Sequence, residues 1–277
     1  MLMRVVEIMV DWSLELAYES FPDIEEEFDE DLDNSLDPRS PDMLFDLVEG
    51  FELPAGATAI DVGCGEGKHV IQLADRFGLS LMGIDPVTRH VDIARAATAE
   101  RADIDIEFGT AERIPAADAT ASLIWCRDVM VHVKDLASAY QEFRRVLKPG
   151  GRALIYQMFG TSRLETREAA WLWSTMGVTP ESADPVHAEE AMRTAGLQID
   201  QRIVVGTEWG EWSQEHDGTG GRKLLHAARL LRGQDTYVGR YGQEAYDIML
   251  GDCLWGVYGM IGKLERRVYV LSRPTSS

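Results

Sequence analysis

Three glycines at alternate positions, Gly63, Gly65 and Gly67, follow the apolar segment 57–62 and precede apolar residues at helical spacing. Glycine has no Cβ and adopts positive φ angles without strain, so a ligand can lie directly against this backbone. The amino end of the following helix would offer unpaired N–H groups to the same ligand. The pattern predicts a strand, a glycine-rich turn and a helix that bind a small molecule, although a turn that only reverses the chain has the same pattern.

Polar residues stand where other strand-like segments end. Asp85, Thr110 and the pair Arg127 and Asp128 each follow such a segment. In parallel sheets, ligands bind beyond the carboxyl ends of the strands, and an acidic side chain there can accept hydrogen bonds from ribose hydroxyls. Asp85 could instead cap the next helix. Because the glycine turn and these polar residues all fall at the carboxyl ends of predicted strands, the ligand-binding interpretation is favoured.

Strand and helix patterns alternate along the chain, which predicts right-handed crossovers and a mostly parallel sheet covered on both faces. Strands are predicted at 57–62, 79–84, 104–108, 121–126, 152–158, 198–205 and 267–271. Helices are predicted at 2–18, 42–50, 70–77, 88–101, 136–147, 162–176, 185–195, 221–232 and 243–261. Residues 148–151 (KPGG) are predicted to form a turn.

We divide the sequence into three regions. Residues 1–50 form a helical cap with an acidic, solvent-facing loop at 22–37, which lacks the spacing of a calcium loop. Residues 51–158 form the ligand-binding core. Residues 159–277 complete the sheet and carry two helical insertions, at about 159–184 and 206–263, that are expected to cover the site as a lid.

The formal net charge of −20 would repel a phosphate backbone, so nucleic acid is not an expected partner. Three cysteines, Cys64, Cys126 and Cys253, lack metal-like spacing, and no metal site is predicted. Isolated thiols suit a reducing cytoplasm. The sequence has neither an export signal nor an apolar run long enough to cross a bilayer, so no membrane association is expected.

Four segments resemble the motifs of class I S-adenosylmethionine-dependent methyltransferases, in the order and at the spacing of that family. They are DVGCGEG at 61–67, GID at 83–85, GTAERIP at 109–115 and VLKPGG at 146–151. The likeness is greatest to the small-molecule branch that includes the ubiquinone and menaquinone methyltransferases. The resemblance implies an α/β, Rossmann-like, doubly wound sheet of seven mostly parallel strands with helices on both faces.

The resemblance also implies which residues hold S-adenosyl-L-methionine. They are Asp61, Gly63, Cys64, Gly65, Asp85, Pro86, Thr110, Ala111, Glu112 and Arg127. The glycines would hold the methionine end, Asp85 the ribose and the Ala111 N–H the adenine, while Asp61 would orient the glycine loop (63–67). Where the family usually has an acidic residue in the adenine loop (109–115), this chain has Thr110, so Thr110, Glu112 or a water would accept from the adenine amino group.

Two residues after the fourth predicted strand are candidates for catalysis. His132 matches a histidine common in the small-molecule branch and is either a general base or a structural residue at a helix start. Asp128 is the second candidate, with Arg127 as an ion-pair partner that would keep it charged. His69 and His90 are expected at the surface.

The aromatic residues of the second half are expected to line an apolar acceptor pocket under the lid. They are Trp171, Trp173, Trp209, Trp212, Trp255 and Tyr258. The predicted function is transfer of a methyl group to O, N or C of a small aromatic or secondary-metabolite acceptor. The alternatives are a non-methylating reaction on the same fold, such as cyclisation, and a non-catalytic protein with a relic pocket. A homodimer is compatible with the sequence.

Overall fold

The computed structural model describes residues 14–275, so most of the helix predicted at 2–18 lies outside the described residues. The chain divides into two compact units, with the boundary between residues 38 and 39. The first unit contains helix α1 (Leu14–Leu32), which has Pro22 in its interior.

The prediction of an acidic loop at 22–37 was wrong for most of its length, because α1 continues through the acidic residues to Leu32. Two features explain the helix: glutamate is a good helix former, and apolar residues recur at helical spacing among the acids. These apolar residues are Phe21, Ile24, Phe28 and Leu32.

The second unit is built on one seven-stranded sheet, as predicted. Its strands are β1 (Thr58–Val62), β2 (Ser80–Asp85), β3 (Ile104–Phe108), β4 (Ala121–Arg127), β5 (Leu147–Gly160), β6 (Gln198–Gly206) and β7 (Leu264–Ser272). The strand order is β3-β2-β1-β4-β5-β7-β6, and β7 is antiparallel to both of its neighbours. The carboxyl ends of the parallel strands and the amino end of β7 therefore share one edge of the sheet.

Helices cover both faces. The helices of this unit are α2 (Met43–Glu49), α3 (Lys68–Phe77), α4 (Thr88–Ala97), α5 (Leu136–Val146), α6 (Thr166–Met176), α7 (Pro185–Thr194), α8 (Glu208–Asp217), α9 (Arg222–Arg232), α10 (Gln234–Tyr241) and α11 (Gln243–Met260). Helices α2, α3 and α4 contribute to one apolar core, and α5 and α7 contribute to the other. The sequence analysis did not predict α8 and α10, because each contains a glycine and neither has a regular apolar stripe.

The predicted turn at 148–151 lies within β5. Leu147 pairs with Ala121 and Arg152 pairs with Leu123, so the four intervening residues form a bulge. Gly150 adopts a φ of 79° in this bulge, which only glycine does without strain. None of the helices described between residues 14 and 275 is long and apolar enough to cross a membrane.

Candidate functional site

The glycine loop connects β1 to α3. Its three glycines have positive φ angles of 75°, 54° and 89° at Gly63, Gly65 and Gly67. A Cβ at Gly63 would lie 2.1 Å from Cγ2 of Val129, whereas a Cβ at Gly65 would have no neighbour within 4 Å. Close packing therefore requires the first glycine, and the backbone beside Gly65 is open to a ligand.

Asp85, at the carboxyl end of β2, faces this loop. Its Oδ2 accepts a hydrogen bond from the Gly65 N–H at 2.9 Å, and its Oδ1 accepts one from the Val87 N–H at 2.8 Å. His90, which is a surface residue as expected, also contacts this carboxylate: its Nδ1 lies 3.2 Å from Oδ1. Because the His90 side chain is 41% exposed, it can move away and free an acceptor site for a second hydroxyl.

Asp61 is 1% exposed, and its Oδ2 has no hydrogen-bond partner within the described part of the chain. Burial, and secondarily the charge of Asp85, raise its pKa to about 8, while Arg127 opposes the shift. The amides of Gly63 and Cys64 donate to the Ile84 carbonyl, at 2.8 and 2.9 Å. The loop is therefore held by backbone hydrogen bonds to β2, and the orienting role of Asp61 stays a prediction. Oδ2 of Asp61 keeps its capacity to accept a hydrogen bond from a ligand.

Arg127, at the end of β4, contacts His69 and not Asp128. Its Nη1 lies 2.8 Å from His69 Nε2, and it forms no ion pair with Asp128. The predicted ion pair was wrong, as was the surface position of His69, whose ring lies 5.6 Å from that of Trp125. Burial and then the charge of Arg127 lower the pKa of His69 to about 4, so it is a neutral acceptor near pH 7.

Asp128 follows β4 with a φ of 63°, an uncommon conformation for a residue other than glycine. Its N–H donates to the Tyr156 carbonyl at 2.9 Å, which fixes the turn to β5. Desolvation by the surrounding protein raises the pKa of its carboxyl, and Arg127, His132 and Arg266 oppose the shift. Asp128 is nevertheless exposed to solvent, so it lies outside the core.

His132 ends the 3₁₀ turn Met130–His132 and is exposed. Its Nδ1 lies 2.9 Å from the carbonyl oxygen of Gly177, the residue after α6. A carbonyl only accepts hydrogen bonds, so we assign the proton to Nδ1, which leaves the Nε2 lone pair free. This is the tautomer that a general base acting through Nε2 requires.

The adenine loop follows β3. Thr110 and Arg113 exchange backbone hydrogen bonds of 3.3 and 3.1 Å, which close a turn around the buried Ala111 and the half-buried Glu112. The Ala111 N–H has no acceptor among the residues described, so it can donate to a ligand. No contact distinguishes Thr110 from Glu112 as the acceptor that an adenine amino group would need.

Two residues of α5 hold this loop. Glu142 accepts a hydrogen bond from the Ile114 N–H at 3.0 Å. Arg145 donates to the carbonyls of Ile114 and Ala116 at 2.9 and 2.7 Å, and it also pairs with Glu142. The sequence analysis missed both residues, although an acid and a base three positions apart on one helix face are typical of an ion pair.

The remaining predicted cofactor residues are Cys64 and Pro86. Burial raises the pKa of the Cys64 thiol to about 12, so it stays protonated and is not a nucleophile at neutral pH. Pro86 is exposed directly after Asp85. Cys64 belongs to the glycine loop, and Pro86 directly follows the end of β2.

Among the aromatic residues of the insertions, Trp209 reaches the site. It stacks on Tyr156 with ring centroids 4.6 Å apart, and the Arg127 guanidinium lies 5.7 Å from the Trp209 ring centroid. Trp173 and Trp255 meet edge to face at 5.9 Å and pack α6 against α11. The unpredicted α8 therefore supplies a buried aromatic ring beside Arg127.

Comparison with known proteins finds similarity to a methyltransferase domain over part of the chain. Residues 60–155 match the family model described as a methyltransferase domain. An O-methyltransferase of Aspergillus sclerotiorum is 27% identical over 148 residues, which cover 52% of this chain and 56% of that protein. The chain thus matches only about half the length of this relative.

Two solved structures share the fold. One is phosphoethanolamine N-methyltransferase 2 of Haemonchus contortus, in complex with phosphomonomethylethanolamine and S-adenosylhomocysteine. It has a TM-score of 0.64 and 19% identity, over 87% of this chain and 55% of that chain. The other is the [4+2]-cyclase SpnF, with a TM-score of 0.64 and 22% identity, over 85% of this chain and 82% of that chain. The fold is therefore the Rossmann-like fold found in methyltransferases.

Proposed function

We propose that this chain binds S-adenosylmethionine and transfers its methyl group to O, N or C of a small acceptor. The observation that carries the proposal is the position of two acids, Asp61 and Asp85, beside one glycine loop inside the methyltransferase domain. The buried Oδ2 of Asp61 lacks a partner, and an ammonium group would satisfy it.

The residues at the strand ends fit the parts of this cofactor. Asp85 would accept hydrogen bonds from the ribose hydroxyls, the open backbone at Gly65 would contact the methionine part, and Asp61 would accept from its ammonium. The Ala111 N–H would donate to the adenine. When bound, the cofactor supplies an electrophilic methyl group on a sulfonium.

The acceptor would lie on the side of His132 and Asp128. Nε2 of His132 would take the proton from an acceptor hydroxyl or amine, while the carbonyl of Gly177 holds the ring. Asp128, whose pKa is raised, is the second group able to accept a proton. The Tyr156–Trp209 stack would exclude water and align the acceptor, and alignment alone lowers barriers substantially.

We infer a small acceptor of the aromatic or secondary-metabolite type, as the likeness of the motifs to the ubiquinone and menaquinone methyltransferases suggests. The stacked rings of Tyr156 and Trp209 support this inference. Isothermal titration with S-adenosylmethionine and with S-adenosylhomocysteine tests the first step. Saturable binding of one molecule per chain is expected, and the absence of binding to either compound contradicts the proposal.

Cyclisation without methyl transfer is the second candidate, because the fold is shared with the cyclase SpnF. Mass spectrometry of the product separates the two reactions. A product heavier by one methylene unit than its acceptor supports methylation, whereas a product of unchanged mass supports cyclisation. A protein that binds the cofactor but turns over no member of a broad acceptor panel would support the non-catalytic alternative.

A further inference from the structure

A cavity lies beside Trp209. It has a volume of about 240 Å³ and lies among α8, α9, α11 and the start of β7. Its lining includes two cations, Lys223 and Arg266, and two hydroxyl residues, Ser213 and Thr219, but no carboxylate. Lys223 forms an ion pair with Asp252, so Arg266 is the cation of this lining that has no acidic partner among the residues described.

Arg266 is 9% exposed, and it forms no ion pair within the described part of the chain. Its Nη1 donates to the carbonyls of Gly206 and Gly259 at 3.0 and 3.2 Å. Carbonyl oxygens carry only partial charge, so the guanidinium lacks a counter-ion. A buried charge without a counter-ion is costly, and a bound anion would remove that cost.

Trp209 has an indole N–H without a hydrogen-bond partner among the residues described. The residue is buried. Buried indole N–H groups are normally paired, so an acceptor is missing beside this ring. Trp209 lines the same cavity as Arg266, so a donor without an acceptor and a cation without a counter-ion belong to the residues around one space.

We propose that this cavity binds the anionic group, a carboxylate or a phosphate monoester, of the methyl acceptor. The proposal rests on the proposed function and names the class of its substrate. Trp209 forms a common wall, since it lines the cavity and stacks on Tyr156 beside Arg127. An acceptor anchored at Arg266 would therefore extend toward Asp128, since the charge of Arg266 acts on that carboxyl and opposes the rise in its pKa.

Isothermal titration of the whole chain with three probes tests the site: phenyl phosphate, benzoate and neutral benzyl alcohol. At least one anion should bind saturably, and benzyl alcohol should not. Arg266→Met should weaken anion binding roughly ten- to hundredfold, the loss expected for a charge-assisted hydrogen bond. The distal, exposed Lys148→Met is the matched control and should leave it unchanged.

Ser213→Asp keeps the test informative if Arg266→Met does not fold. It places a carboxylate in the cavity and should abolish anion binding while raising the melting temperature. Preference for phenyl phosphate identifies a phosphate site, and preference for benzoate a carboxylate site. Failure of both anions to bind, or equal binding to wild type and Ser213→Asp, overturns the proposal. Titration of the same samples with S-adenosylmethionine reports separately on the proposed function.

Discussion

Nδ1 of His132 lies 2.9 Å from the carbonyl oxygen of Gly177. This contact joins the turn after β4 to the end of α6, where Gly177 adopts a φ of 67°. The first insertion of the chain therefore fixes the tautomer and the ring position of the candidate base. With Nδ1 bound to this carbonyl, Nε2 of His132 is the ring nitrogen that remains free to accept a proton.

Replacement of His132 by alanine should lower kcat by roughly 10²- to 10⁴-fold, the usual contribution of a general base, for an acceptor that must lose a proton. The affinity for S-adenosylmethionine should not change, because the ring lies on the acceptor side. Initial rates and isothermal titration measure the two effects. His187→Ala, which replaces another exposed histidine, is the control. An unchanged kcat would assign His132 a structural role.

Asp85→Asn should weaken S-adenosylmethionine binding by roughly tenfold or more, because hydrogen bonds to a charged acceptor would become neutral ones. The substitution keeps the shape of the side chain but only one acceptor oxygen, so only one of the Gly65 and Val87 amides keeps its partner. Isothermal titration gives the affinity directly. Asp92→Asn on the exposed side of α4 is the matched control. Equal affinities of Asp85→Asn and wild type would remove Asp85 from the cofactor site.

Arg145→Met should raise the KM for S-adenosylmethionine several-fold, because it removes the hydrogen bonds that hold the adenine loop. Hydrogen exchange of residues 110–118 should accelerate at the same time, which an effect limited to the surface would not produce. Arg144→Met is the control, since that neighbouring side chain bonds to the Gly196 carbonyl and not to the loop. Identical hydrogen exchange in the two variants would show that Arg145 does not hold the adenine loop.

Binding of S-adenosylmethionine at pH 7 should release roughly one proton from Asp61, whose pKa of about 8 keeps it mostly protonated before binding. An ammonium group favours the ionised carboxylate and so lowers this pKa. Titration in Pipes and in Tris, which differ in ionisation enthalpy, measures the release. It should fall toward zero above pH 9 and vanish in Asp61→Asn, whereas Asp46→Asn should behave as wild type. Equal release from Asp61→Asn and wild type would exclude this assignment.

The same raised pKa sets a pH dependence of the ligand-free protein. Between about pH 4 and pH 8 the folded state binds more protons at Asp61 than the unfolded state does, so the free energy of unfolding should fall as pH rises through this window. Asp61→Asn should remove that part of the fall. Chemical denaturation at pH 5 and pH 8 measures the difference, with Asp46→Asn as the control.

Local patterns were sufficient for much of the fold. The seven strands and the glycine turn follow from short apolar runs and from glycines, and both depend on interactions between neighbours in the sequence. The acidic helix α1 and the helices α8 and α10 were missed or taken as loop, because their apolar spacing is weak or is masked by charge. The roles of the predicted cofactor and catalytic residues stay predictions.

The sequence by itself determined the succession of the seven strands along the chain, the position of the glycine loop and the placement of Asp85 at a strand end. The tertiary structure decided which groups form hydrogen bonds. Arg127 contacts His69, His132 contacts the Gly177 carbonyl, and α5 holds the adenine loop. The tertiary structure also brought Arg266 to the edge that carries the site, because β7 runs antiparallel to β5 and presents its amino end there. Contacts between residues that are distant in sequence depend on strand order and direction, which no local pattern encodes.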